Sequence, residues 1–406
     1  MNKSLKILLI MVILTFATFS GVLGTKVISE EERLTKETTA IGVFSFPAIY
    51  GDIVVWADGR EPNPGIYGYN LKTKTEFQIS DSGNAFFPAI YGDIVVWQEG
   101  FMLGDIYGYN LKTKERFQIT ELGNAFFPAI YGDIVVWVEG GQDGDIYGYN
   151  LKTKERFQIT ELGNAFFPAI YGDIVVWVEG GQDGDIYGYN LKTKERFQIT
   201  ESSKSSYPAI YGDIVVWIES VDIPEEGNAP YIYGYNLKTK ERFQITKLGG
   251  ILSPPAIYGD IVVWSEIDSG EEEPKLDIYG YNLKTKTEFQ ISDSGNAILP
   301  AIYGDIVVWT EIDSGEEESK FDIFGYNLKT KDGFQITKSG KAIFPAIYCD
   351  RVVWLDYRNG NIGVRLDVYM TYLDVVCGET KKSLPIDRFL KILKENMRKN
   401  HPEAEG

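Results

Sequence analysis

Residues 127–137 read Phe-Pro-Ala-Ile-Tyr-Gly-Asp-Ile-Val-Val-Trp. The first five are short, apolar and aromatic. Gly132-Asp133 is a two-residue turn signal. Ile134-Val135-Val136-Trp137 is a β-branched run, apolar on both faces, which suits a strand held between two packed sheets. Reading on, Gly140 to Gly144 is a loop and Ile146-Tyr147-Gly148-Tyr149 is a third strand. Asn150 to Lys154 is a polar turn, where Asn150 can take the left-handed conformation. Arg156-Phe157-Gln158-Ile159-Thr160 alternates and closes the unit. The text therefore predicts four antiparallel strands, a to d, joined by hairpins.

The same text recurs. Pro-Ala-Ile-Tyr-Gly-Asp-Ile-Val-Val-Trp begins at Pro47, Pro88, Pro128, Pro168, Pro208, Pro255 and Pro300. A variant begins at Pro345, with Cys349 for Gly and Arg351 for Ile. All eight tryptophans (Trp56, Trp97, Trp137, Trp177, Trp217, Trp264, Trp309 and Trp354) fall at one place in the unit. Residues 104–143 and 144–183 are identical, so part of the chain arose by duplication. Units of this length are propeller blades or pairs of HEAT-type helices. No stretch carries helical periodicity long enough for the second. The fold class is all-β: an eight-bladed β-propeller of four-stranded antiparallel blades, with strand a innermost. The glycine of strand c (Gly148 and its equivalents) is expected to leave room for a tryptophan. The last unit has a degenerate strand d, and Glu32-Arg33-Leu34-Thr35 resembles the strand d text. An N-terminal strand is thus expected to complete the last blade and close the ring. Seven blades plus a capping unit is the rival count.

The propeller spans residues 31–377. Residues 1–24 read as a signal peptide, with Lys3 and Lys6 ahead of the apolar run Ile7 to Leu23; the alternative is an uncleaved anchor. Residues 383–400 read as a C-terminal amphipathic helix, with Ile386, Phe389, Leu390, Leu393 and Met397 on one face. The expected location is secreted or at the extracytoplasmic cell surface, with no transmembrane span in the mature chain and a monomeric state. The net charge of −18 argues against a nucleic-acid partner, whose phosphates select basic patches. Cys349 and Cys377, the two cysteines of the chain, are a disulfide candidate; two free thiols are the alternative.

The inventory of chemistry is short. The one histidine, His401, lies in a polar tail, so the propeller has no Ser-His-Asp or Cys-His mechanism and no histidine-rich metal site. Carboxylates remain. An acid stands two residues after each Trp, as at Glu139, and a second opens strand c, as at Asp145. A residue present in every blade is expected to hold the blade together by capping loop N–H groups. Ca²⁺ is the one conceivable cofactor, with Asp143, Asp145, Asp183 and Asp185 as weak metal candidates. On the opposite side, the c–d turns carry Lys-x-Lys pairs such as Lys152 and Lys154, partly offset by the Asp of the Tyr-Gly-Asp turn.

Binding is expected where the repeat is broken. The second b–c loop carries Phe101, Met102 and Leu103 at its tip. An exposed apolar tip invites a partner. Longer acidic loops follow in the fifth to seventh blades, with Asp222 and Glu225, Asp268 and Glu272, and Asp313 and Glu317. These nine residues form the candidate binding face, and the expected partner is a protein or a surface polymer.

The last unit, Val352-Val353-Trp354-Leu355-Asp356-Tyr357-Arg358-Asn359-Gly360-Asn361 followed by Asp367-Val368-Tyr369, resembles the TolB-like propeller repeats of secreted and cell-surface proteins of archaea and bacteria. Trp56-Ala57-Asp58-Gly59-Arg60 echoes it in the first unit. The usual Ser-Pro-Asp-Gly turn is replaced by Tyr-Gly-Asp. The resemblance implies a fold and an extracytoplasmic place but no single activity, because function lies in sites grafted on folds. The function expected is a non-catalytic binding or scaffold propeller. The alternative is a carboxylate- or metal-dependent polysaccharide lyase or hydrolase with its site in the central channel.

Overall fold

Each repeat unit folds as one antiparallel sheet, because its hairpin turns are short and its strands are apolar on both faces. The structure, a computed structural model, describes residues 25–36, 46–100, 104–181, 184–201, 204–223, 227–247, 249–268, 275–314, 318–360 and 366–375. The signal segment 1–24 and the helix expected at 383–400 lie outside the described residues. The chain divides at Asp374, and of the second unit only Val375 is described.

Eight four-stranded sheets make an eight-bladed propeller. Blade 3 shows the pattern: strand a is Ala125–Tyr131, b is Ile134–Glu139, c is Asp145–Asn150 and d is Glu155–Gln158. Closure is visible at the axis. The last residue of each strand a is a tyrosine. Tyr50, Tyr91, Tyr131, Tyr171, Tyr211, Tyr258, Tyr303 and Tyr348 contact one another in an unbroken circle with centroids 4.6–5.0 Å apart.

The core lies between blades rather than within them. Trp177 of blade 4 packs on Val136, Val138 and Ile146 of blade 3, and the same seam repeats between neighbouring blades. Within its own blade Trp137 stacks on Tyr147, the residue opposite it in register.

The glycine of strand c makes room for phenylalanine rather than tryptophan. A Cβ on Gly148 would stand 2.4 Å from the ring of Phe157 on strand d. The other seam of the ring tests this reason. Blade 8 takes its strand d from Glu32–Arg33, which pairs with Asp367–Tyr372. Glu32 stands opposite Met370, where the other blades pair phenylalanine with glycine. Without the ring, a full side chain is admitted. The N-terminal strand does more than fill an edge. Leu34 N–H bonds Val368 O, and Thr35 Oγ1 donates to Asp367 Oδ1 at 2.7 Å. Arg351 crosses the same seam to Gly51 O and Asp52 on blade 1. Cys349, in the left-handed conformation where other blades carry glycine, is disulfide-bonded; Cys377 lies outside the described residues.

Two local expectations change. In the c–d turns Lys154, not Asn150, takes the left-handed conformation, while the Asn150 side chain accepts the N–H of Lys152 and Thr153. The long b–c segments of blades 5 to 7 begin as ladder rather than loop. Strands b and c run on through Ile223 and Gly227, Asp268 and Lys275, and Ser314 and Ser319.

Candidate functional site

The a–b and c–d turns lie at one end of the blades, and the b–c and d–a loops at the other. At the turn end the Tyr-Gly-Asp carboxylate of blades 2 to 6 takes the first lysine of the c–d turn, as in Lys152–Asp133 at 2.5 Å. Those pairs are exposed and worth little to stability. The tyrosine circle sits at this end. Burial raises the pKa of Tyr303 above the ordinary tyrosine value, and hydrogen bonds to Tyr258 and Tyr348 raise it further. Tyr131 also moves up, chiefly by burial.

At the loop end the axis opens into a cavity of about 390 Å³, lined by Phe, Tyr, Pro and Ala side chains of blades 1 to 6. Its aromatic members are Phe46, Phe87, Phe127, Phe167 and Tyr207. A bulge puts Phe87, Phe127, Phe167 and Tyr207 there. Phe126 pairs with Val138 and Ala129 with Val136, so Phe127 and Pro128 together face one residue of strand b. Proline has no N–H to lose in a bulge. Phe87, Phe127, Phe167 and Tyr207 all have φ between 51° and 55°. That conformation is uncommon for a non-glycine residue and costly for a bulky one. The preceding blade braces Phe127 and two equivalents outside the well lining, Leu299 and Phe344. Gln98 Oε1 accepts the N–H of Phe127, Ser265 Oγ that of Leu299 and Thr310 Oγ1 that of Phe344. The rings contact in a row: Phe87–Phe127 at 5.1 Å, Phe127–Phe167 at 6.3 Å and Phe167–Tyr207 at 4.8 Å. They still face solvent, Phe46 at 48% and Tyr207 at 44% exposure. Leu122 and Leu162, on the d–a loops of the same end, are more exposed still. Large side chains held in a strained backbone and left wet are not explained by core packing.

The repeated carboxylates are occupied. Glu139 accepts from Trp137 Nε1 at 2.9 Å and from Arg156 of strand d at 2.6 Å, and Arg156 lies over the Tyr147 ring. Blades 2, 4 and 5 repeat the set. Blades 1 and 8 build it differently. Asp58 and Asp356 take the place of Glu, and the cation comes from the b–c loop as Arg60 and Arg358. The acid that opens strand c is a cap. Asp145 Oδ1 accepts from Thr160 Oγ1 and from Gly163 N–H, while Thr160 Oγ1 accepts from Ile146 N–H.

The sequence-chosen residues scatter. Asp222 and Asp313 are exposed on the hairpins of blades 5 and 7, and Asp222 pairs with Lys204 at 3.4 Å. Asp268 ends strand b of blade 6. Phe101, Met102, Leu103, Glu225, Glu272 and Glu317 lie outside the described residues. Of the metal candidates, Asp145 and Asp185 hold threonines of their own blades, Asp143 is exposed in a 3-10 turn, and Asp183 lies outside the described residues. Among the described residues no three His, Cys, Asp or Glu side chains gather as a metal site. The channel-mouth aromatics were missed as site residues. Their signal was an aromatic directly before proline in consecutive units, read as ordinary strand.

No family model matches the chain, and no curated protein matches it. Solved structures do. The computationally designed Ika8 protein is 14% identical, with a TM-score of 0.56 over 82% of this chain and 99% of that one. The β-propeller domain of the Trilobed protease from Pyrococcus furiosus is 14% identical, with a TM-score of 0.51 over 82% of this chain and 94% of that one. Oligogalacturonate lyase from Vibrio parahaemolyticus is 13% identical, with a TM-score of 0.52 over 86% of this chain and 96% of that one. Identities this low establish the propeller and nothing finer. TolB from Acinetobacter baumannii overlays at a TM-score of 0.37, which carries no weight for the TolB-like family. Among the described residues no helix is long and apolar enough to cross a membrane.

Proposed function

We propose that this chain is a non-catalytic, extracytoplasmic binding propeller whose ligand enters the aromatic well at the loop end of the axis. The observation that carries the reading is the contrast between occupied acids and open aromatics. The blade carboxylates a hydrolase or lyase would draw on accept from indoles, arginines, threonines and loop N–H groups. The well presents phenylalanine, tyrosine and proline in a concavity of a size that suits ligands. Its walls are pre-organised by the bulge, so little ordering remains to oppose binding. The leader-like text of residues 1–24 supports the location.

A ligand-observed NMR screen of a fragment library against the full-length chain tests the reading. Hits that vanish in Phe127→Ala/Phe167→Ala, whose fold is checked by circular dichroism, are expected. Hits that ignore the double substitution would remove the well from consideration. Turnover of oligosaccharides, oligogalacturonate included, would overturn the non-catalytic part.

A further inference from the structure

The charge around the well narrows what it takes. The lining contains no charged side chain. In blades 2 to 5 the d–a loop that leads to the well aromatic carries an acid six residues before it: Asp81 before Phe87, Glu121 before Phe127, Glu161 before Phe167 and Glu201 before Tyr207, whereas the matching loop position in blades 1 and 6, which also line the well, is Lys36 and Lys247. All four acids are exposed. Asp81 pairs with Arg116, whereas Glu121, Glu161 and Glu201 form no ion pair among the described residues. These loops stand at the cavity's own end of the molecule, on the blades whose rings line it. The whole chain adds a net charge of −18, which concentrates cations near its surface. Neutral aromatic walls beneath a rim of loops that carry four acids against two lysines suit an organic cation. The ring quadrupoles attract the charge, the apolar contacts take the alkyl groups, and the rim steers without competing for a tight ion pair. A strongly hydrated metal ion gains no oxygen ligands from such walls. An anionic ligand would cross the acidic rim at a cost.

We infer that the well of Phe46, Phe87, Phe127, Phe167 and Tyr207 is a binding site for a small organic ammonium cation, taken by its alkyl groups and its charge together. The inference rests on the reading of the well as the ligand site and adds the ligand's class. Selectivity comes from charge, so a neutral molecule of equal shape binds far less.

The test is an NMR titration of the full-length chain with choline and, separately, with its neutral isostere 3,3-dimethylbutan-1-ol. Choline is expected to bind about tenfold more tightly than the isostere, the increment of one or two cation–π contacts. Phe127→Ala/Phe167→Ala is expected to weaken choline about tenfold, with the melting temperature as the check on folding. Glu121→Gln/Glu161→Gln/Glu201→Gln leaves the well intact and is expected to weaken choline about two- to threefold, an effect that 0.5 M salt also produces. Equal binding of both probes would overturn the inference while leaving an apolar ligand site in place. Choline binding that survives the aromatic substitutions would assign it to the acidic surface and overturn the inference. Binding of neither probe would overturn it too; fragment hits in the well would then keep the broader reading, and their absence would end both. Sedimentation showing a dimer that the aromatic substitutions dissolve would give the well to a second copy and overturn both.

Discussion

Blades 3 and 8 reach the same architecture from different parts of the chain. Blade 3 is continuous, and its strand d supplies Phe157 against Gly148 and Arg156 against Glu139. Blade 8 borrows strand d from residues 32–33, so both contacts change. Met370 faces Glu32, and the arginine arrives from the b–c loop as Arg358. The shorter carboxylate belongs to this second solution. Asp356 accepts the backbone N–H of Arg358 at 2.9 Å, which folds the loop so that the guanidinium returns to it. Blade 1 does the same with Asp58 and Arg60. Both arginines lie over the strand c tyrosine, as Arg156 does. Six blades thus assemble indole, carboxylate, guanidinium and phenol from either of two cation-donating positions, while blades 6 and 7 keep the indole–carboxylate bond without an arginine. Repeat-to-repeat differences are informative when they come in compensating pairs.

Tryptophan is where the two blades do not differ, and there the largest effect is expected. Trp137 and Trp354 are both fully buried at a blade seam. Replacing either by alanine is expected to destabilise the protein by about 3–5 kcal/mol. Denaturant unfolding of both variants checks it. A cost at one and none at the other would mean that seams are not equivalent.

The glycine comparison comes next. Gly148→Met places a side chain where Phe157 already stands, 2.4 Å from the new Cβ, and is expected to cost about 1–3 kcal/mol. The double change Gly148→Met/Phe157→Glu copies blade 8 into blade 3 and is expected to recover a good part of that loss. Denaturant midpoints read both. A double variant no better than the single one would break the proposed link between the glycine and the ring.

Arg156→Ala is expected to cost about 1 kcal/mol, below the range for a fully buried charged hydrogen bond because the arginine head is partly exposed. The identical change at Arg196 should match it, since the two clamps are copies. Unequal thermal shifts would mean that blade position matters more than the clamp.

The blade, the number of blades and the ring closure were legible because each rests on local text: a turn dipeptide, a β-branched run, a tryptophan at one register, and Leu34-Thr35 echoing Ile159-Thr160. The role of Gly148 was misread because its partner is set by pairing register, which one unit's text does not show. The well was not legible. Phe127 before Pro128 reads as strand, since a residue before proline favours extended backbone. The bulge that turns it to φ 55° is set by its register with strand b, which the text of strand a alone does not show. The apolar tip 101–103, which looked most like a site, lies outside the described residues. The blade acids were expected to cap loop N–H groups; Asp145 does, whereas Glu139 takes an indole and a guanidinium that the sequence does not place beside it.

The smallest effect expected belongs to the seam itself. Glu32, in the place of a phenylalanine, accepts from Tyr69 Oη at 3.2 Å and from Lys74 of blade 1 at 3.3 Å. Burial, with the Glu32 charge and its hydrogen bond, pushes Tyr69 up to about 12. An unfolded tyrosine loses its proton near 10. Between those values the folded chain holds a proton that the unfolded chain has released, so stability falls as pH rises. The contribution is complete below pH 10 and lost by pH 12. Glu32→Gln removes the charge and keeps the shape. It is expected to bring Tyr69 part of the way back and to narrow the pH window in which stability declines. Burial, the first cause, remains in the variant, so the return is partial. Absorbance titration at alkaline pH, with Tyr69→Phe to assign the late component, reads the shift directly. An unchanged late titration in Glu32→Gln would mean that burial alone holds the proton and that the borrowed strand does not act on blade 1 through charge.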